Sequence, residues 1–209
     1  MNPSAFLALQ DLDTTLDVIT HKRPRLPEVI ARDEAAAALA GLRTRMAAAQ
    51  SRIDAAQASI EAAEHAAEAL TKKRTRLEAQ LKTVIAPREA EALLHEIELI
   101  NAQRGELDDQ ELAALDEQGD AEAVIAALSA ELPEKEDAVS VAQAALDAVH
   151  SALDIEVAGL RRQRDDTATG LGADGSALYE RVRKQFGGVG VARLEGSHCS
   201  GCHMDLSPR

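Results

Sequence analysis

The chain has 209 residues, a formal net charge of −13 and only three aromatic side chains, Phe6, Tyr179 and Phe186. Aromatic residues supply the largest buried areas of a core, so their absence between Leu7 and Leu178 argues against an ordinary globular domain. The negative charge argues against a protein that coats nucleic acid with its whole surface. Ala, Leu, Glu and Arg dominate the long middle stretch, a composition typical of long helices and coiled coils.

The sequence carries no signal for membrane attachment or export. No apolar run approaches the roughly 18 residues that span a bilayer. The first ten residues lack the charged start and apolar centre of a signal peptide. We therefore expect a cytoplasmic protein without a membrane partner.

The first predicted elements are a short helix and a long helical arm. The helix covers about residues 3–19, and Pro24 and Pro27 interrupt it because proline lacks the backbone donor that a helix needs. From Leu39 to Val84, apolar residues recur at alternating spacings of three and four over about six heptads. This pattern predicts one arm of a coiled coil, and its many alanines indicate close helix approach.

A second series with the same spacing predicts the returning arm, from Leu93 to Leu160. Pro133 should kink or break this arm. Since Pro87 cannot continue a helix, we place the hairpin tip at 85–88, which gives nearly equal arms; a tip at 118–120 would not. The predicted fold is all-α: a long kinked antiparallel coiled-coil hairpin over residues 1–168, with kinks near 20–27 and 133. Polar residues weaken the second series at five positions: Arg104, Glu111, Gln118, Lys135 and Glu156.

The C-terminal part differs in composition from the hairpin. Glycines at 170, 172 and 175 predict a flexible linker over 169–175. A short helix is predicted from Ser176 to Gln185, followed by a short strand from Val189 to Leu194. Residues 158–209 carry eight Lys or Arg against six Asp or Glu, so this end is mildly basic. We interpret 176–209 as a partial zinc-ribbon domain.

Cys199 and Cys202 give the sharpest chemical signal. Two thiolates at this spacing, with Gly201 between them, form one knuckle of a tetrahedral zinc site. His198 and His203 flank the pair and are further candidate ligands. Two free thiols, a thioredoxin-like redox pair and a haem attachment motif are alternatives, although the last two need contexts that the sequence lacks.

These features together resemble a known family. The alanine-rich hairpin, the tip sequence over 87–98 and the segment over 187–206 are similar to the bacterial C4-type zinc-ribbon/coiled-coil hairpin proteins, and to their actinobacterial members in particular. Members carry a second Cys-x-x-Cys after the first, and this sequence lacks it, so the zinc site is expected to be incomplete. The resemblance implies an adaptor role, since members include a flagellar factor that binds a sigma factor and messenger RNA, and a type III secretion-associated protein.

Two basic clusters are candidate binding surfaces. The first lies at the tip, where 71–88 holds six Lys or Arg against one Glu; pairing of Arg74 with Glu98 and of Arg76 with Glu96 would neutralise most of it. The second lies at the ribbon end, where few acids stand nearby in the sequence. It could bind nucleic acid or a protein partner. Its members are Arg161, Arg162, Arg164, Arg181, Arg183, Lys184 and Arg193.

The sequence therefore predicts a non-enzymatic adaptor or scaffold that binds a protein, a nucleic acid or both. An RNA- or DNA-binding regulator that uses the basic ribbon end is the alternative. We expect no small-molecule substrate, and both a monomer and a homodimer agree with the pattern. Tyr179 and Phe186 are expected to form a small core between the short helix and the ribbon rather than to stack on bases.

Overall fold

The computed structural model describes residues 3–201 and 204–205. The chain is mostly helical, as predicted, and its two longest helices form the hairpin. The elements in chain order are α1 (Pro3–Lys22), a 3-10 turn (Arg23–Arg25), α2 (Pro27–Leu81), α3 (Pro87–Gly170), α4 (Gly172–Gln185), β1 (Leu194–Glu195) and β2 (His198–Cys199).

The chain divides into two compact units. The terminal unit combines Met1–Ala35 with Ala138–Arg209, and the central unit is Ala36–Asp137. The terminal unit thus holds α1, α4 and the strand pair together with parts of α2 and α3. The central unit consists of the remaining stretches of α2 and α3 and the turn that joins them.

The core of the central unit is a narrow seam between α2 and α3. Every buried apolar residue in it falls on a predicted heptad position. Many are alanines, whose small side chains let the helix backbones approach closely. The buried positions are Leu42, Ala49, Ala56, Ile60, Ala63 and Leu77 on α2, and Ile100, Ala114, Ala121 and Leu128 on α3.

Ion pairs cross this seam on its exposed flanks. Arg52 Nε lies 2.6 Å from Glu117 Oε1, and Lys73 Nζ lies 2.8 Å from Glu96 Oε1. Glu96 thus pairs with Lys73, and the predicted pairing of Glu96 with Arg76 is wrong.

Arg74 also differs from the expectation. It contacts Glu78 on its own helix at 3.3 Å and donates to Asn101 Oδ1 across the seam, rather than pairing with Glu98.

The helix breaks follow the prolines with one exception. Leu26 is extended between the 3-10 turn and Pro27, which opens α2. Residues 82–86 separate α2 from α3 and overlap the predicted tip at 85–88, whose last two residues already belong to α3. Pro133 does not break α3, which is helical on both sides of it. Its ring is exposed to solvent, and Leu128 anchors the preceding turn in the seam.

The expected linker over 169–175 is helical instead. Helix α3 continues to Gly170 and α4 begins at Gly172, so only Leu171 separates them. Gly172 makes the turn with a φ of 75°. Gly175 is buried, and a Cβ there would lie 3.3 Å from Leu171 Cβ. These glycines therefore allow a tight turn and close packing rather than flexibility.

Candidate interaction surface around the fourth helix and the strand pair

A buried carboxylate organises the packing of the terminal unit. Asp13 on α1 is only 2% exposed. It accepts hydrogen bonds from Arg164 Nε of α3 at 2.7 Å and from the Tyr179 hydroxyl of α4 at 2.8 Å. Arg183 Nε of α4 lies 3.3 Å from the same carboxylate. One acid therefore joins three helices through two arginines and a tyrosine, and we call these four residues the Asp13 network.

The surroundings of Tyr179 and Arg164 raise the pKa of both side chains. Burial raises the pKa of the Tyr179 phenol above its ordinary value, and its hydrogen bond to Asp13 raises it further. The hydrogen bond to Asp13 also raises the pKa of the Arg164 guanidinium, and a second bond to Glu180 adds to this effect. The tyrosine therefore stays neutral and the arginine stays charged at physiological pH.

Gln10, one turn before Asp13 on α1, holds the segment that follows α4. Its Oε1 accepts from the backbone amides of Gly190 at 2.6 Å and Val191 at 3.3 Å. Its Nε2 donates to the carbonyl of Gly188 at 3.0 Å. The strand predicted from Val189 to Leu194 is therefore wrong, because only Leu194 of this range is in a strand. The Gln10 side chain makes the hydrogen bonds that a neighbouring strand would otherwise make with this backbone.

The aromatic residues of the terminal unit have opposite environments. Tyr179 is 1% exposed and its ring centroid lies 6.5 Å from that of Phe6. Phe186 is 62% exposed, so the expectation that it shares a core with Tyr179 is wrong. Gly187 and Gly188 follow it with φ values of 60° and 104°, and this turn carries the chain back to α1 without covering Phe186.

Phe186 borders an apolar cavity of about 330 Å³. The cavity is open to solvent and lies between the end of α4 and the strand pair. We call it, together with Phe186, the Phe186 cup. Its walls include Val182, Val189, Ala192, Cys199 and Gly201.

The strand pair carries the first cysteine of the predicted knuckle. Leu194 pairs with Cys199 and Glu195 with His198 in an antiparallel hairpin. The amide of Cys199 donates to the carbonyl of Met204 at 3.0 Å.

Gly201 follows in a closely packed position, where a Cβ would lie 2.8 Å from Ala192 Cβ. Cys202 and His203 lie outside the described residues. His198 is engaged with Asp205, whose Oδ1 is 3.1 Å from its Nδ1. Within residues 3–201 and 204–205, no group of three or more His, Cys, Asp or Glu is arranged to hold a metal ion. The zinc knuckle therefore stays a prediction.

The basic cluster at the ribbon end divides into paired and unpaired residues. Arg164 and Arg183 belong to the Asp13 network, and Arg183 Nη2 also contacts Asp17 at 2.8 Å. Arg193 lies 3.3 Å from Asp11. The other four members are exposed, and none has an ion-pair partner among the described residues: Arg161, Arg162, Arg181 and Lys184.

Sequence reasoning missed the acids of α1 because they stand more than 150 residues before the arginines they neutralise. One signal pointed to them. Gln10, Asp13 and Asp17 recur at helical spacing and form a polar stripe on one face of α1.

None of the helices in the described part of the chain is both long and apolar enough to cross a membrane. The architecture is that of a coiled-coil hairpin protein with a small appended helix and strand pair. The family model of the CT398-like coiled coil hairpin domain matches residues 9–187, and the chain belongs to this family.

Solved structures with the same fold include proteins from three bacteria. CT398 from Chlamydia trachomatis is 21% identical with a TM-score of 0.82, covering 98% of this chain and 86% of that one. A Mycobacterium smegmatis protein is 22% identical with a TM-score of 0.76, covering 98% and 85%. The HP0958 protein of Helicobacter pylori is 13% identical with a TM-score of 0.70, also covering 98% and 85%.

An actinobacterial relative is also similar in sequence. The uncharacterized protein Rv2229c of Mycobacterium tuberculosis is 27% identical over 203 residues, which is 97% of this chain and 82% of the relative. The expected resemblance to actinobacterial coiled-coil hairpin proteins is thereby confirmed, and its zinc-ribbon part is still a prediction.

Proposed function

We propose that this protein is a non-enzymatic adaptor that binds a protein partner at the Phe186 cup. The observation that carries the proposal is the exposure of Phe186 in a chain with only three aromatic residues. Aromatic side chains dominate the binding energy of many protein interfaces, where they fill pockets in the partner or line pockets of their own. An exposed phenylalanine beside an apolar cavity can fill a pocket of the partner and can also line a pocket that receives a partner side chain.

The surroundings of the cup indicate the chemistry of the partner. Arg181 and Lys184 lie on α4 within five residues of Phe186, and both are exposed. Neither has an ion-pair partner in the described part of the chain. A partner that presents an apolar side chain flanked by carboxylates would complement this surface, since opposite charges speed association and favour the correct orientation.

The packing behind the cup supports a preformed site. The Asp13 network fixes α4 against α1 and α3, and Gln10 holds the backbone at Gly188 and Gly190. The side chains that line the cup therefore stand on a backbone that is already ordered. Binding to a preorganised surface loses less conformational entropy than binding to a mobile one.

The test is site-specific photo-crosslinking in the native host. A benzoylphenylalanine at position 186 should crosslink a protein that the same probe at position 155 does not. Ile155 is the matched control because it is a 73% exposed apolar residue on α3 of the same unit. Equal crosslinking from both positions, or none from position 186, would refute the proposal.

A nucleic-acid regulator is the second candidate, favoured by four exposed basic residues that have no ion-pair partner within residues 3–201 and 204–205: Arg161, Arg162, Arg181 and Lys184. This function requires RNA or DNA affinity that falls steeply with salt concentration, because neutralised phosphates release counterions. An Arg161→Glu, Arg162→Glu double variant would weaken that affinity. Its outcome separates this candidate from the protein adaptor, which predicts normal partner binding by the same variant.

We also propose that Cys199 and Cys202 hold zinc in the cell. The hydrogen bond from the Cys199 amide to the Met204 carbonyl and the close fit of Gly201 are consistent with a metal knuckle. Two thiolates supply two of the four ligands of a tetrahedral zinc site. Elemental analysis of the purified protein should find zinc, and Cys199→Ser should remove it; equal zinc in both proteins would contradict the assignment.

A further inference from the structure

The turn between the two long helices exposes an apolar residue to an unusual extent. Ile85 is 97% exposed, the largest value among the exposed large apolar residues described. Its neighbours Ala86 and Pro87 are exposed as well, and Val84 is half-buried. A turn that only reverses the chain is normally made of polar residues and glycine. The isoleucine therefore needs another explanation.

The turn is ordered on both sides of Ile85. The amides of Thr83 and Val84 donate to the carbonyl of Gln80 at 3.0 and 3.2 Å. The amides of Glu89 and Ala90 donate to the carbonyl of Ala86 at 3.2 and 3.1 Å. Hydrogen bonds thus end α2 and begin α3 within a few residues. The isoleucine side chain is held in solvent by a fixed backbone.

The charges around the turn separate into two groups. Farther from the turn, Lys72, Lys73 and Arg74 are paired with acids at 2.6, 2.8 and 3.3 Å. Closer to it, Lys82 and Arg88 flank Ile85, and neither has an ion-pair partner among the described residues.

The nearest acid, Glu89, lies in the first turn of α3, where a negative charge is favoured by the helix dipole. Among the described residues of this basic cluster, Arg76 also lacks an ion-pair partner, and the other two unpaired cations, Lys82 and Arg88, lie on either side of the exposed isoleucine.

We infer that residues 82–88 form a second docking surface, which binds a protein with an apolar pocket bordered by carboxylates. Ile85 fills the pocket, and Lys82 and Arg88 contact the acids around it. This occupant uses all three side chains, whereas RNA would use the two cations and leave the isoleucine in water. The surface belongs to the central unit and the Phe186 cup to the terminal unit, so this site does not depend on the function proposed for the cup.

The experiment has a capture step and a quantitative step. Benzoylphenylalanine at position 85 captures the partner, with position 112 as control because Leu112 is a 61% exposed apolar residue of the same unit. The captured protein is then purified, and its dissociation constant is measured for wild type, Ile85→Ala, Leu112→Ala and a Lys82→Glu, Arg88→Glu variant.

The expected result is specific to the turn. Ile85→Ala should weaken binding by about tenfold or more relative to wild type, as truncation of a central apolar anchor does. The Lys82→Glu, Arg88→Glu variant should also bind more weakly than wild type, and the difference should be largest at low salt. Leu112→Ala and Phe186→Ala should bind as wild type does. Since Ile85 packs against little else, circular dichroism should find Ile85→Ala as stable as wild type.

Three results would overturn the inference: equal affinity of wild type and Ile85→Ala, capture no stronger at position 85 than at 112, or capture of RNA alone. Loss of binding in Phe186→Ala together with retention in Ile85→Ala would assign the captured protein to the cup instead. Failure at position 186 alone would leave the turn site unaffected, so the two proposals fail separately.

Discussion

Replacing Asp13 by alanine should strongly destabilise the terminal unit. The substitution removes the acceptor of Arg164 and Tyr179 and the contact of Arg183, all within 3.3 Å. Breaking a buried ion pair by removing one partner typically costs about 3–5 kcal/mol. Arg164 keeps Glu180 and Arg183 keeps Asp17, which moderates the loss. We therefore expect the free energy of unfolding to fall by about 2–4 kcal/mol.

The chain contains its own reporter for this measurement. Tyr179 is the only tyrosine and there is no tryptophan, so tyrosine fluorescence during urea unfolding follows the terminal unit alone. Asp11→Ala is the matched control, because Asp11 lies on the same helix and forms an exposed ion pair with Arg193. The Asp11 side chain is 67% exposed and the Arg193 side chain is 56% exposed. An exposed pair contributes about 0–1 kcal/mol. If Asp13→Ala and Asp11→Ala unfolded at the same urea concentration, the Asp13 network would not hold the unit together.

Three further predictions concern residues in both units. Absorbance at 295 nm should detect ionisation of Tyr179 only above the ordinary tyrosine pKa of about 10, and ionisation at that value would contradict the buried environment. Because the folded state binds the phenolic proton more tightly than the unfolded state, the contribution of Tyr179 to stability is fully present below the unfolded-state pKa and is lost as the pH rises through the folded-state pKa. Gly190→Ala should destabilise the protein by about 1–3 kcal/mol, since the new Cβ would lie 2.4 Å from Tyr179 Cε2. The control Gly159→Ala, in open space on α3, should stabilise the protein by about 0.5–1 kcal/mol. Equal melting temperatures of the two variants would refute the close contact at Gly190. Ala121→Leu should destabilise the central unit by about 1–3 kcal/mol because Ala121 is fully buried in the seam, and exposed Ala123→Leu should not, as chemical unfolding followed by circular dichroism can check.

The hairpin could be predicted because its determinants are local and periodic. Heptad spacing predicted Leu42, Ala49 and Leu128 in the seam, and Pro87, the first residue of α3, lies within the predicted tip. Proline and glycine were less reliable guides elsewhere. Pro133 does not interrupt α3, and the glycines at 170, 172 and 175 form a tight helical corner rather than a linker.

The candidate interaction surface could be predicted only in part, because its contacts join distant parts of the sequence. Gln10 bonds to Gly190 across 180 positions, and Asp13 bonds to Tyr179 across 166. No local pattern reveals such partners, so arginines that looked free proved to be neutralised. The exposure of Phe186 likewise follows from the turn at Gly187 and Gly188, which composition alone does not specify.

The adaptor function is tested most directly by an affinity measurement at Phe186. With the protein captured by the probe at position 186 in hand, calorimetric titration compares wild type, Phe186→Ala and the exposure-matched Ile155→Ala. Binding at the cup predicts a loss of about tenfold or more for Phe186→Ala, as is typical of a central aromatic anchor, and no change for Ile155→Ala. Equal dissociation constants for wild type and Phe186→Ala would contradict it.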